Sequence, residues 1–208
     1  DLAHPYKKKL VSASSQKLIL KENEISKGKL LEVNSVSVNY KSHNRGLFSK
    51  GTSIEAVSDV SFDIKRGERL GLVGESGSGK STLTRTILGL QSTSSGYIEF
   101  EGKKISKDNR SFKKNIQVVF QDPYGSFNPR HKVERLIAEP FFALGKEAPH
   151  ETEQKSIVKE MLEEVGLPLN STEKYIHEFS GGQRQRIAIA RALVIKPKLI
   201  IFDEAVSA

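Results

Sequence analysis

The sequence contains no cysteine and no tryptophan, has a single methionine, and only 7% of its residues are aromatic. The absence of cysteine excludes disulfides, thiolate metal sites and cysteine nucleophiles, and it is compatible with a reducing compartment. Long apolar runs are also missing, because "LIIF" and "ALVI" contain four residues each. A transmembrane helix needs about 20 apolar residues. The sequence therefore predicts no membrane-spanning helix.

The bulk composition is that of an ordinary globular protein. The chain has 208 residues, of which 37% are hydrophobic and 28% are charged, enough for one domain with an apolar core. Its 33 basic and 25 acidic residues give a net charge of +8. Such a charge suits nucleic acid, an anionic membrane surface or a phosphorylated ligand, or it reflects lysines spread over a solvated surface. The few aromatics are not interleaved with basic residues, which disfavours nucleic acid.

The first 28 residues differ from the rest of the chain. They carry little hydrophobic periodicity and much lysine and serine, which predicts a loosely ordered tail or linker. The run Lys7–Lys9 could contact lipid or RNA, but three lysines are fewer than such patches usually contain.

From Leu30 onward the pattern predicts an α/β domain. Strands are expected at "LLEVNSVSVNY", "AVSDVSFDI", "SGYIEFEGKKI", "NIQVVFQD" and "PKLIIFDE". The segment "RLGLVG" is more continuously apolar and predicts a strand buried on both faces. Helices are expected at "KSTLTRTILGL", ending at Gly89, and after "SGGQ". Two further helical segments between them predict a helical subdomain at about residues 123–195.

The clearest motif is "GESGSGKST", which fits G-x-x-x-x-G-K-[ST] and lies between a predicted strand and a predicted helix. Glycines allow the backbone N–H groups to curl around an anion, and the helix N-terminus adds its dipole. The lysine can reach the β- and γ-phosphates, and the serine hydroxyl can ligate Mg²⁺. The alternative is a Gly/Ser-rich surface loop. The predicted nucleotide-binding residues are Gly74, Glu75, Ser76, Gly77, Ser78, Gly79, Lys80, Ser81 and Thr82.

A second motif narrows the choice among phosphate-binding proteins. "EFSGGQRQRIAIARAL" places Ser180 and two glycines before a helix, which alone fits an ordinary serine N-cap. Together with the first motif, "VVFQD" and "LIIFDE" in this order, it makes residues 29–208 resemble the ATPase domain of ABC proteins. This resemblance implies a P-loop NTPase core, consisting of a mixed sheet with flanking helices, an antiparallel β subdomain and an inserted helical subdomain.

The resemblance also implies two kinds of ATP contact. It identifies Ser180, Gly181, Gly182 and Gln183 with the family's signature motif, which contacts the γ-phosphate of ATP bound by a second ATPase domain. Two ATP molecules would then be enclosed between two ATPase domains arranged head to tail. Phe179 stands where the family usually has leucine.

Further residues acquire roles by the same match. Gln121 corresponds to the glutamine that senses Mg²⁺ and the attacking water, and Asp203 to the aspartate that holds Mg²⁺ together with Ser81. Glu204 corresponds to the general base that polarises water. Tyr40 corresponds to the aromatic that stacks on adenine, although a tyrosine at a strand end also fits simple packing.

Finer similarities favour one branch of the family. "GLFSKG", "VFQDPYGSFNPR" and "DEAVSA" are similar to ATPase subunits of oligopeptide, dipeptide and nickel importers. Membership there implies ATP and Mg²⁺, transmembrane permease subunits, an indirectly acting extracytoplasmic solute-binding protein, no nucleic-acid partner, and a peripheral location on the cytoplasmic face of the membrane. The opening "DLAHPYKKKLVSAS" resembles the end of a preceding ATPase domain. We expect the sequence to be a fragment that lacks the C-terminal part of the fold.

Two other functions remain open from the sequence. A soluble ABC-type ATPase acting on nucleic acid or ribosomes would share all the motifs, and the net charge favours it slightly. The Ser180 motif argues against a third alternative, a P-loop kinase outside the ABC family.

Overall fold

The computed structural model describes residues 28–41, 53–106 and 111–203. The predicted tail, apart from Gly28, lies outside these residues, and so does Glu204. Within the described ranges, no helix is both long enough and apolar enough to cross a membrane.

Four strands form an antiparallel sheet in which the first strand of the chain lies between the second and the third, and the fourth pairs with the third. Side chains of the first strand alternate on either side of a register shift between Val33 and Val36, and Leu31, Val33, Val36 and Val38 are buried. The predicted antiparallel β subdomain is therefore confirmed. The strands are β1 (Lys29–Lys41), β2 (Ser53–Lys65), β3 (Ser95–Phe100) and β4 (Lys103–Lys104).

Two short strands, β5 (Ile116–Val119) and β6 (Leu199–Phe202), form a separate parallel pair. Their register matches Val119 with Phe202, so both strands end at the same edge. Asp203 directly follows β6 and Gln121 lies two residues beyond β5, so both residues lie near the same edge of the strand pair.

All the predicted helical segments are helical in the structure. The α-helices are α1 (Lys80–Ile87), α2 (Val133–Ala138), α3 (Glu151–Glu164) and α4 (Gly181–Leu193). Shorter 3₁₀ turns cover Ser111–Lys114, Tyr124–Ser126, Glu139–Glu147, Leu169–Glu173 and Ile176–Glu178. The α2 helix gives way to 3₁₀ structure at Glu139, because Pro140 cannot continue the α-helical hydrogen-bond ladder.

Two apolar clusters hold these elements. One joins α1 to the antiparallel sheet through Leu83 and Ile87. The other packs α2, α3 and α4 around Leu136, Leu162 and Ile187. A division into a β part and a helical part at about residues 123–195 stays a prediction.

The expectation for "RLGLVG" is wrong. Residues 68–75 form no strand, and Leu70, Leu72 and Val73 are 48%, 49% and 94% exposed. A strand requires a hydrogen-bonded neighbour. This segment instead faces β6 across a cavity that separates the two backbones.

Candidate nucleotide-binding site

The motif 74–82 forms a tight loop that enters α1. Gly77 and Gly79 have φ values of 83° and 93°, a region that residues with a Cβ rarely adopt. Gly79 is the N-cap of α1, and the N–H of Ser78 donates to the carbonyl of Glu75 at 3.2 Å. The side chain of Glu75 is exposed, so its charge is solvated. The loop has the backbone geometry that an anion cradle needs.

Lys80 closes this loop from the inside. Its Nζ donates to the carbonyl oxygens of Gly74 and Glu75, at 2.7 Å each. The ammonium group therefore lies within the curl of the loop, beside the start of a helix. The hydroxyls of Ser81 and Thr82 follow directly. These groups are the cation, hydroxyls and helix N-terminus that a phosphate prefers.

Tyr40 lies next to the same loop. Its hydroxyl is 3.4 Å from Thr82 Oγ1, and the residue is 37% exposed. The contact joins the end of β1 to the first turn of α1 and leaves part of the ring open to solvent. The structure thus brings Tyr40 to the nucleotide loop, and its stacking on adenine stays a prediction.

A mostly apolar cavity of about 520 Å³ lies between residues 68–72 and β6, and both Lys80 and Asp203 are among the residues that line it. The backbone N–H of Asp203 donates to the carbonyl of Val119 at 3.0 Å, which fixes the aspartate just beyond the parallel strands. Gln121 is exposed in the bend after β5. Glu68 and Arg69 line the same cavity, so its lining alone does not assign Asp203 to a phosphate or a metal ion, and both roles stay predictions.

The donor set fits Mg²⁺ only with help from a substrate. In residues 28–41, 53–106 and 111–203, no group of three or more His, Cys, Asp or Glu side chains is placed to hold a metal. Mg²⁺ commonly keeps several waters and binds through one or two carboxylates plus phosphate oxygens. Asp203 offers one such carboxylate, and its role as a Mg²⁺ ligand together with Ser81 stays a prediction.

The signature segment starts α4 with a capping box. Ser180 Oγ accepts from the N–H of Gln183 at 3.4 Å, and Gln183 Oε1 accepts from the N–H of Ser180 at 3.0 Å. Gly181 and Gly182 are exposed, and a Cβ added at either would meet nothing within 4 Å. Neither has a positive φ. Nothing in the described part of the chain therefore requires glycine at these two positions.

Two arginines of α4 make contacts that the sequence motifs do not predict. The guanidinium of Arg191 donates to Ser126 O and Ser126 Oγ, both at 2.8 Å. Arg184 lies over the ring of Tyr124, with 4.7 Å from Cζ to the ring centroid. The spacing i, i+7 in "RQRIAIAR" indicates that these arginines share a helix face, but it does not identify what they contact.

A charged network also went unpredicted. Glu101, in the turn between β3 and β4, accepts from Lys198 Nζ at 2.8 and 2.9 Å and from Arg66. The hydrogen bond from Lys198, together with Arg66, holds the pKa of Glu101 below its ordinary value, although burial opposes this. The network fastens the antiparallel sheet to the residue before β6.

Comparison with known proteins agrees with this geometry. A family profile described as "ABC transporter" matches residues 57–207. The chain is 49% identical to the oligopeptide transport ATP-binding protein OppF of Haemophilus influenzae, over 86% of this chain and 55% of that protein. It is 50% identical to AppF of Bacillus subtilis, also an oligopeptide transport ATP-binding protein, over 78% and 51%. The chain thus spans about half the length of these relatives.

Solved structures extend the comparison to the fold. CbiO1 of Clostridium perfringens, part of the ABC transporter complex cbiONQ, has a TM-score of 0.66 and 32% identity, over 84% of this chain and 64% of that chain. The ATP-binding cassette MJ0796, a dimer in a post-hydrolysis state bound to ADP and Pi, has a TM-score of 0.73 and 27% identity, over 86% and 75%. The expected P-loop NTPase fold is confirmed, and the chain belongs to the ABC transporter family.

Proposed function

We propose that this chain is the ATP-binding and ATP-hydrolysing part of a subunit that powers an importer of peptides or similar small solutes. The observation that carries the proposal is the glycine-rich loop at the N-terminus of α1, whose carbonyls of Gly74 and Glu75 hold the ammonium group of Lys80. The names of OppF and AppF, each an oligopeptide transport ATP-binding protein, support the transported class.

Binding would begin with an exchange of partners at Lys80. In the structure, its ammonium group donates to two loop carbonyls. The β- and γ-phosphates of ATP offer stronger, charge-assisted acceptors in the same curl. The backbone N–H groups of residues 77–82 and the dipole of α1 add to this attraction. Tyr40, beside Thr82, would pack against the adenine ring.

Hydrolysis would use the carboxyl ends of β5 and β6. Ser81 and Asp203 would hold Mg²⁺, whose positive charge would balance that of the phosphates. Gln121 would contact the Mg²⁺ site and orient the attacking water towards the γ-phosphate. Glu204, immediately after Asp203, would accept a proton from that water.

A second ATPase domain would complete the site. The capping box leaves the backbone of Gly181 and Gly182 bare at a helix N-terminus. Glycine in a helix costs about 1 kcal/mol relative to alanine, and no contact in the described residues explains that cost. Close approach of ATP bound by the partner domain would explain why glycine is present at these two positions. The dimeric form of the related cassette MJ0796 supports this arrangement.

The remaining partners follow from the proposed transport role. Permease subunits in the membrane would bind this ATPase at the cytoplasmic face, and an extracytoplasmic solute-binding protein would act through them. The relatives do not favour the alternative of a soluble ATPase acting on nucleic acid or ribosomes, since those quoted carry transport names.

The proposal is tested with the variant Glu204→Gln, which keeps the shape of the side chain and removes its basicity. We expect the variant to bind ATP as the wild type does, to form pairs in the presence of ATP by light scattering, and to lose hydrolysis. Unchanged turnover in the variant would assign the base to another residue. Absence of ATP binding by both proteins would refute the proposed function.

A further inference from the structure

The 3₁₀ turn at Tyr124–Ser126 is attached to α4 at two points. Arg191 Nη1 donates to Ser126 O and Nη2 to Ser126 Oγ, at 2.8 Å each, and the guanidinium lies 4.4 Å from the centroid of Phe127. Two turns earlier on α4, Arg184 lies over Tyr124. A guanidinium is a rigid, planar donor. The two contacts therefore fix the turn in both position and orientation.

The geometry at Ser126 makes the attachment specific. Its hydroxyl donates to the carbonyl of Pro123 at 2.7 Å while it accepts from Arg191. The side chain of Arg191 is only 15% exposed, and Glu139 lies 3.8 Å away as its counter-charge. A hydrogen bond of a charged donor in such a partly buried setting is strong, and a mismatch there leaves polar groups unsatisfied.

Arg184 also reaches towards the signature segment. Its Nε donates to Ile176 O at 3.1 Å and its Nη2 to His177 O at 3.3 Å. These carbonyls belong to the turn that leads into Ser180. One arginine thus contacts both the residues before the signature segment and the ring of Tyr124.

We propose that Arg184 and Arg191 are positioning residues that make the turn after Gln121 and the N-terminus of α4 move as one unit. The inference rests on the proposed function, in which Gln121 meets the nucleotide of its own chain and Ser180–Gln183 meets that of the partner. Gln121 precedes Tyr124 by three residues, and α4 is a single unbroken helix from Gly181 to Leu193. A displacement at Gln121 is thereby passed to the signature segment.

The two regions joined by this link are far enough apart for their hydrogen exchange to be measured separately. Gln183 and Arg191 are eight residues apart, or about 12 Å along a helix. Residues that only stabilise their neighbourhood would change local protection around Ser126 and leave Gln183 unaffected. A link predicts that both regions loosen together.

The test is amide hydrogen exchange of the full chain without nucleotide, for wild type, Arg191→Lys, Ser126→Ala and the double variant. Arg191→Lys keeps the charge and removes the planar fork. Arg186→Lys is the matched control, because Arg186 lies on the same helix and donates to Gly166 O instead. We expect exchange to rise about tenfold at residues 126–127 and at residues 183–184 in each single variant, with little further rise in the double variant.

Three results would overturn the link. Exchange could rise at residues 126–127 alone, it could rise throughout the chain, or the control could loosen the same two regions. In the functional arm, Arg191→Lys should lower kcat for ATP and leave ATP affinity unchanged, and equal losses of both would also contradict the proposal. Failure of the wild type to bind ATP refutes the proposed function only, since the exchange experiment needs no nucleotide.

Discussion

Gly79 packs so closely against β2 that a Cβ at this position would lie 2.1 Å from the carbonyl oxygen of Ala56. The glycine also has a φ of 93°. Both the space and the backbone conformation therefore demand glycine where the nucleotide loop becomes α1. The loop is anchored to the antiparallel sheet at this point.

The first prediction follows from this anchor. Gly79→Ala should lower the free energy of unfolding by about 2–4 kcal/mol, from backbone strain and displacement of β2. Urea denaturation monitored by circular dichroism measures the change. Gly28→Ala is the control, because its Cβ would meet nothing within 4 Å. Equal stability of the two variants would contradict the packing at Ala56.

The second prediction concerns the bare glycines of α4. Gly181→Ala should stabilise the fold by about 0.5–1 kcal/mol, since alanine is the better helix former and has open space here. The same change should weaken ATP-dependent pairing, because the new methyl group occupies the face offered to the partner. Thermal denaturation and light scattering measure the two effects. If the variant is stabilised and pairs as well as the wild type, the partner does not approach this face.

The third prediction is a pH dependence. The pKa of Glu101 is lowered below its ordinary value of 4.5, chiefly by the hydrogen bond from Lys198. A carboxyl with a depressed folded-state pKa stabilises the fold above its unfolded-state pKa, and this contribution is lost as the pH falls through the folded-state pKa. Glu101→Gln should therefore cost on the order of 1 kcal/mol at neutral pH, with the difference from wild type shrinking in acid below about pH 4.

Chemical denaturation across that pH range measures the difference. Glu55→Gln, an exposed position on β2, is the control and should show little effect at any pH. A cost at Glu101 that stays constant down to strongly acidic pH would show that the network is not held by the ionised carboxylate.

The fourth prediction concerns Mg²⁺. Asp203→Asn should reduce the enhancement of ATP binding by Mg²⁺, because an amide replaces the carboxylate that we propose as a metal ligand. Binding of ATP in the presence of a chelator should change little. Calorimetric titration with and without Mg²⁺ separates the two. A variant that loses affinity equally in both conditions would have a damaged fold rather than a missing metal ligand.

Hydrophobic periodicity predicted most elements because each buries one face. Period two in β1 holds on either side of a register shift between Val33 and Val36. The helical spacing in α3 matches buried Val158, Met161 and Leu162. The strand predicted at residues 69–74 is absent for a physical reason. An apolar run predicts burial only if neighbouring strands cover it, and in this structure Leu70 and Val73 face open space instead.

The candidate site likewise contains residues that the sequence predicts and contacts that it does not. Glycines, Lys80 and the acidic residue after β6 carry local chemistry, so a motif predicts them. The contacts of Arg191 with Ser126 and of Lys198 with Glu101 join residues 65 and 97 positions apart. Such pairs depend on how the elements pack, which a single sequence does not specify.

The most direct test of the central claim is the thermal stabilisation of the chain by ATP and Mg²⁺, compared between wild type and Lys80→Ala. Lys103→Ala, an exposed lysine on β4, is the control. We predict that ATP raises the Tm of the wild type and of the control, and that it leaves the Tm of Lys80→Ala unchanged. Equal stabilisation of Lys80→Ala and the wild type would contradict the assignment of residues 74–82 as the nucleotide site.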